Sequence, residues 1–517
     1  MTSLGHMAAT RSSSCPSALA AVALLVASSM LLLLLAAWDP AVAVVISASV
    51  FALLVLCRAP LPFLVFAVAV LALLVDPPFG RPADGHWQSP LYPVGRFLYE
   101  NLNTVTGIGA LRVSLIELLL TFLVGRALLT RAARIRPSPT PRVLVLALGV
   151  WLLTIVWLEV FGLARGGDLR NSLWQLRTLL WLPIVAWLFL AVMRGPRDFL
   201  WIARAIVGVA VIKVAFGLYF LLEIARPRGL LAAYVMTHDD TVLLVTAIFI
   251  CLAAWLYRPS RGHLVLLLTA VPWILVGIIV NNRRIAYVSL FGALMILYAV
   301  LDRRTRRVVT LAGVLMLPLF VSYLFVGQHR SGRLFAPAGK IMSVLAQSDA
   351  SSSTRDIENY NLYVTLRAKG RLFGSGFGHE YVESVAAYDI SANFAQYRFI
   401  AHNSVLWLWS IGGLVGMTAL WVALVVTVYF ASRSLHVARN PIEQTAAVTV
   451  NGVVLIYLVQ AWGDMGTQSW VGVWILAAMI ATAGKLATAT GAWPAHVTVF
   501  GGRETKRVGI VDAIAGR

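Results

Sequence analysis

Apolar runs long enough to cross a bilayer recur along almost the whole chain, and no other feature limits its fold so tightly. A helix spans the hydrocarbon core with roughly 20 residues. In lipid the backbone must satisfy its own hydrogen bonds, which only helices and closed barrels achieve. The runs here are continuously apolar rather than alternating, so they predict helices. Candidate spans fall at 17–37, 41–57, 61–75, 111–129, 143–162, 173–193, 199–222, 241–257, 263–280, 285–301, 308–327, 402–430, 446–462 and 470–487. The third is short enough to be re-entrant, so twelve to fourteen spans are expected. Hydrophobic residues make up 60% of the 517 and charged residues 12%, where a soluble domain carries roughly a quarter charged residues. A soluble globular domain is thereby excluded. The expected fold is all-α, a polytopic transmembrane bundle with one large outer loop before the last three spans.

The spans divide the chain into five parts. Residues 1–110 hold the first spans and a proline-rich outer loop, and 111–327 a central transmembrane core. Residues 328–401 form the large outer loop, 402–487 the last spans, and 488–517 a tail. Orientation follows from arginine, because cytoplasmic loops carry an excess of Lys and Arg. Arg131, Arg134, Arg136 and Arg142 share one loop, then Arg194 and Arg197, Arg258 and Arg261, Arg303, Arg304, Arg306 and Arg307, and last Arg433 and Arg439. Two spans separate each cluster from the next. All therefore fall on one side, with the tail bearing Arg503, Lys506 and Arg507, and both termini are expected in the cytoplasm. The net charge of +20 reflects this anchoring in the lipid bilayer and not binding to nucleic acid. The first apolar run is not a cleaved leader, because a second and a third follow at once. Cys15, Cys57 and Cys251 show no metal-ligand spacing and no plausible disulfide pairing. Trp87, Tyr92 and Phe97 in the first outer loop read as interfacial aromatics.

Some charges break the inside-positive pattern. Arg177 and Arg284 lie at the outer edges of strongly apolar runs, and Arg283 adjoins the second. A guanidinium there is costly unless it snorkels, meets an anion or lines a wet cavity, and it is well shaped to grip phosphate with two prongs. Glu117, Glu159 and Lys213 fall within spans. An ion pair of Lys213 with Glu117 or Glu159 is the expected arrangement.

The most specific pattern follows the large outer loop. An amphipathic stretch runs from Arg355 to Lys369, then come Gly374-Ser375-Gly376-Phe377-Gly378, and then His402-Asn403 directly before an apolar run. Nine residues separate Asn403 from Gly413, and two separate Gly413 from Gly416. Gly412, Gly413 and Gly416 are expected to let helices pack closely behind the His-Asn pair. The glycine run has no βαβ setting, so it reads as a turn and not as a nucleotide cradle.

His-Asn, nine residues, Gly, two residues, Gly resembles the signature of the O-antigen ligase and O-antigen polymerase superfamily. Arg355, the glycine run, the Arg283-Arg284 turn and Glu117 agree with it. The likeness covers about residues 111 to 480, with its sharp part in roughly 355–416. It implies a glycosyltransferase of the bacterial inner membrane that takes a glycan from undecaprenyl diphosphate at the periplasmic face. The acceptor is a sugar hydroxyl, of lipid A core in ligases or of another lipid-linked repeat in polymerases, and the two are not separable here. The implied chemistry uses no metal or other cofactor and inverts the anomeric carbon. His402, Arg284 and Arg177 are the expected catalytic residues, with Arg283, Arg355, Asn403, Asp239 and Asp240 binding substrate. His238-Asp239-Asp240 departs from the pattern. Adjacent carboxylates can hold Mg²⁺ or Mn²⁺, but a helix cap at Asp240 with hydrogen bonds to sugar is the preferred reading. A transporter or flippase of lipid-linked glycan is the competing class.

Overall fold

The computed structural model describes residue 28 and residues 55–494, apart from 79–88, 108–111, 134–138, 231, 233, 331, 333–334, 347–349 and 387–395. Almost all of the expected spans 17–37 and 41–57 lies outside the described residues. So do Cys15, Trp87, Arg134, Arg136, Arg503, Lys506 and Arg507. The chain divides into two compact units, Met1–Leu64 and Val65–Arg517, and the candidate site lies within the second.

The described residues are helical, with no β-strand among them. Helix α1 (Leu61–Leu74) is followed by two short helices, α2 (Tyr92–Tyr99) and α3 (Leu102–Thr106), and then α4 (Leu115–Ala133). The central helices are α5 (Arg142–Ala164), α6 (Leu169–Val192), α7 (Phe199–Tyr219), α8 (Asp240–Tyr257), α9 (Arg261–Asn281), α10 (Arg284–Val300) and α11 (Arg303–His329). The outer segment carries α12 (Ala336–Ala346) and α13 (Ala350–Lys369). The chain then returns through α14 (Ser404–Val437), α15 (Pro441–Gly463) and α16 (Trp470–Ala489). Among the described residues nine helices are long and apolar enough to cross a membrane, and α1 and α10 are shorter apolar helices. The chain is a multi-pass membrane protein.

Burial separates the centre of the bundle from its rim. The apolar stretch of α16 is 94% buried, and it packs on α6, α8, α14 and α15. Its Ala- and Gly-rich sequence lets neighbours approach closely, and a methyl group at Gly484 would stand 2.7 Å from Leu144. The corresponding stretch of α11 is 0% buried, so its apolar side chains face outward all round. Helix α10 has 17 residues and is thus about 25 Å long. It holds Arg284 at one end and the Arg303–Arg307 run beyond the other.

Two of the motif's three glycines pack against a neighbouring helix as expected, and the third serves a different purpose. Gly412 and Gly416 do face Leu158 of α5, but Gly413 breaks α14 with φ 59° and ψ −165°. Side chains with a Cβ essentially never occupy that region of the backbone map. The break frees backbone groups, which inside a membrane protein need other partners. The segment after α13 supplies them. Leu414 N donates to Arg371 O at 2.9 Å and Val415 N to Leu372 O at 3.0 Å, while Ser410 O and Ile411 O accept from Ser375 N and Gly376 N. Gly376, at φ 78°, lies where a Cβ would stand 2.4 Å from the Cα of Gly162. The glycine run is therefore a seam joining three backbones, and the outer segment is fastened into the bundle by it. Gly413→Ala is expected to remove the seam, since its Cβ would stand 2.4 Å from the backbone of Leu372. The forced φ alone costs about 1–3 kcal/mol. A thermal melt of the purified protein in detergent checks this, and a melt like that of the native protein would refute it.

The intramembrane ion pairs also differ from expectation. Lys213 of α7 pairs with neither Glu117 nor Glu159. It bonds Asp76, two residues beyond α1, and Asp240 at the start of α8, the latter at 2.5 Å. Both acids lie at the margins of apolar runs, so counting charges inside the runs passed over them, and the long lysine stem reaches out to them. Glu117 instead takes Arg177 Nε at 3.0 Å, and Glu159 accepts from Ser172 Oγ at 2.7 Å.

Candidate functional site

Four elements meet around a cavity of about 310 Å³. The first turn of α10 contributes Arg284, Ile285 and Val288. Helix α13 contributes Arg355, Asp356 and Asn359. His402 and Asn403 enter at the start of α14, and the end of α15 adds Val459, Trp462 and Gly463. The chain runs into α10 and α14 where it leaves α15, which brings residues far apart in sequence to one end of the bundle. The cavity has two kinds of wall. Arg284, Arg355, Asp356, Asn359, His402 and Asn403 make the polar part, in which two guanidinium groups face one carboxylate, and Ile285, Val288, Val459 and Trp462 the apolar part. Trp462 is 57% exposed and Val288 40%, so the apolar wall runs on to the outer surface of the helices.

Asn403, Arg355 and His402 are each held by neighbouring protein groups. Asn403 caps α14, its Oδ1 accepting Leu406 N at 3.1 Å, and its buried Nδ2 has no hydrogen-bond partner. Arg355 Nη1 donates to Gly463 O at 2.7 Å, where the last carbonyls of α15 favour a cation. His402 is gripped by Glu358, whose Oε2 accepts the backbone N–H of His402 at 3.1 Å and lies 3.2 Å from Nδ1. Burial alone would lower the imidazole pKa. The hydrogen bond and charge of Glu358, and then the charge of Asp464, outweigh burial and the opposing Arg355, so the pKa stands above its ordinary range. Behind the cavity Asp464 Oδ2 meets His238 Nδ1 at 2.5 Å. Burial pushes the Asp464 carboxyl up, but His238, Arg355 and His402 together hold it well below the usual carboxylate range.

The structure thus brings Arg284, Arg355, His402 and Asn403 together. Arg283 does not line the cavity and stacks its guanidinium on Tyr234, 3.2 Å from the ring centroid. Arg177 is also absent from the lining. It is held by Glu117 and by Asn101 Oδ1 at 2.9 Å, and lies beside Trp174. Asp240 does not cap α8 as expected. It is fully buried, bonded to Lys213, and accepts Thr237 N and Oγ1 at 2.9 Å each. Asp239 holds the cap position without a side-chain cap bond. Burial, working against a hydrogen bond from Ser469, pushes its carboxyl up to about 6. With His238 turned to Asp464, no group of three or more His, Cys, Asp or Glu among the described residues is arranged to hold a metal ion.

No family model and no curated protein matches this chain.

The site also contains residues that sequence reasoning missed. Glu358 and Asn359 lie three and four positions beyond Arg355, and so on the same face of a helix. That spacing could have found them once the stretch was taken as helical. Asp464 and Trp462 carry no such signal, because only the fold brings the end of α15 beside the start of α14.

Chemically, the arrangement suits an amphiphile with an anionic head. Two guanidinium groups can stabilise negative charge, a basic imidazole can accept a proton, and an apolar track leads away from both.

Proposed function

We propose that the protein is a glycosyltransferase that moves a glycan from a lipid diphosphate, of the undecaprenyl class, to a sugar hydroxyl. The carrying observation is a single cavity in which Arg284 and Arg355 meet His402 at the head of an apolar wall. Arg284 and Arg355 hold the diphosphate, and the polyprenyl chain lies along Ile285, Val288, Val459 and Trp462. The acceptor hydroxyl gives its proton to His402 Nε2 as its oxygen bonds the anomeric carbon from the opposite face. The bond from that carbon to the phosphate oxygen breaks, and the lipid diphosphate leaves with the electron pair. Fixed positive charge at the leaving group and a base at the nucleophile are what this displacement requires.

The His402–Gly416 motif supports placing the reaction at the periplasmic face of a bacterial inner membrane, and the arginine clusters support cytoplasmic termini. The acceptor is lipid A core in a ligase, or a second lipid-linked repeat in a polymerase. The reading uses no metal and no nucleotide sugar. Arg177 and Arg283 have no direct part in it, nor do Asp239 and Asp240, which do not line the cavity.

The test is purified protein in lipid nanodiscs with undecaprenyl-diphosphate glycan and, in parallel, lipid A core or a second repeat as acceptor. Transfer to either one is the expected result. Movement of the donor across proteoliposomes with no new glycosidic bond would overturn the reading in favour of a flippase. Within this assay Arg284→Ala is expected to raise donor KM by about 10–100-fold, the worth of a charged hydrogen bond. Arg284→Lys should restore it only in part, because an ammonium lacks the two-pronged grip. A lysine variant indistinguishable from the native protein would remove Arg284 from the diphosphate site.

A further inference from the structure

We propose that Glu358 is a positioning residue for His402, accepting a hydrogen bond from Nδ1–H and holding the ring as the tautomer whose unprotonated Nε2 faces the cavity. The proposal deepens the glycosyl-transfer reading and rests on its assignment of His402 as the base.

The geometry is that of a clamp. Glu358 sits on the buried side of α13, its side chain 7% exposed, whereas that of His402 is 25% exposed. Its carboxylate reaches His402 at two places, the backbone N–H at 3.1 Å and Nδ1 at 3.2 and 3.3 Å. Two bonds from one rigid group fix both the place where α14 begins and the rotation of the ring. A buried carboxylate is costly unless paired and hydrogen-bonded. Glu358 meets that requirement at His402, and an apolar residue of similar size would have packed α13 on α14 without the cost. The nitrogen that carries the proton in a neutral imidazole is set by the bond its other nitrogen makes. With Nδ1 occupied by the carboxylate, the lone pair falls on Nε2, where an acceptor hydroxyl in the cavity can reach it.

The charged groups around the ring come from three directions. Helix α13 presents Glu358, Arg355 and Asp356, α10 presents Arg284, and Asp464 lies beyond the end of α15. Tyr381 is close enough to Glu358 to feel its charge. Glu358 is the one of these hydrogen-bonded to the ring, so its neutralisation should alter both the ring's proton affinity and its orientation. An acid that only propped α13 against α14 would still act on the ring's proton affinity through its charge but would leave its orientation unchanged, so kcat and KM are read beside the midpoint.

Two measurements on the full-length protein in nanodiscs decide the matter. The first is the pH dependence of His402 modification by diethyl pyrocarbonate, which attacks the neutral ring, followed by peptide mass spectrometry. Glu358→Gln, close to isosteric, should move the midpoint down by about one pH unit, as loss of an adjacent opposite charge does. An unmoved midpoint would overturn the proposal. The second is turnover. Glu358→Gln should lower kcat about tenfold or more, part of the whole worth of a general base, leave donor KM unchanged and shift the acid limb to lower pH. Glu358→Asp, which keeps the charge on a shorter arm, should fall between the two. Equal loss of kcat and rise of KM would mark a structural prop and overturn it. A native protein that transfers no glycan to either acceptor would defeat the functional reading instead, and the modification midpoint would still decide whether Glu358 holds His402.

Discussion

His402→Ala is expected to lower turnover by roughly 10²–10⁴-fold, the usual contribution of a general base, while donor KM stays near its native value. In the proposed reaction Arg284 and Arg355 grip the diphosphate, and this substitution leaves both in place, so binding and chemistry should separate. His402→Gln makes the sharper comparison. It keeps a polar side chain of similar reach that can still bond Glu358, but it cannot take a proton. If His402 only bonded a sugar or shaped the start of α14, the Gln variant would work almost as well as the native protein, and that result would sink the base assignment. The pH profile gives an independent check with a defined sign. The base must be neutral to act, and Glu358 and Asp464 hold the ring's pKa above its ordinary value near 6.5. Activity should therefore be full well above that pKa and fall as pH drops through it, with the midpoint above pH 6.5 and not below. Both His402 variants should lose that limb. Measurement of kcat and KM across pH on the three proteins tests magnitude and sign together.

The parts of this fold that could be read from sequence are those set by solvent. A long apolar run in a chain with so few charges has only one stable conformation in lipid, and runs such as 143–162, 173–193 and 241–257 fall within a few residues of α5, α6 and α8. The expected span 402–430 is shorter than the helix it marks, since α14 runs to Val437 and is broken at Gly413. No pattern in the run itself marks that break. It becomes intelligible only when Arg371, Leu372, Ser375 and Gly376, far away in sequence, are seen to bond the freed backbone groups. The candidate site divides in the same way. His402, Asn403, Arg284 and Arg355 could be picked out because each is a polar group at the edge of an apolar run or of a marked pattern. Arg177 met that criterion equally well, yet Glu117 and Asn101 hold it outside the cavity lining. A cation at a helix end signals that some anion is near and cannot say whether the anion belongs to a ligand or to the protein.

The same limit explains Lys213, whose removal is expected to have the largest effect on stability of any single change. Its side chain is 1% exposed and bridges Asp76 and Asp240, themselves 8% and 0% exposed. Lys213→Met keeps much of the stem's volume and takes away the one charge that both carboxylates share. Asp240 would retain its bonds from Thr237 N and Oγ1, but Asp76 would lose the partner it has in Lys213. Breaking a buried pair by removing one member typically costs about 3–5 kcal/mol, because a charge is stranded. The melting temperature of purified Lys213→Met should therefore fall steeply, or the protein should fail to accumulate in the membrane. The triple variant with Asp76→Asn and Asp240→Asn strands no charge, and buried ion pairs replaced by neutral groups are often no less stable than the originals. It should recover most of the loss. It should also retain glycan transfer, because none of the three residues lines the cavity. A single variant as stable as the native protein would show that the bridge contributes nothing. A triple variant that is stable but inactive would show that the ion network reaches the reaction, and would draw Asp240 back into the site.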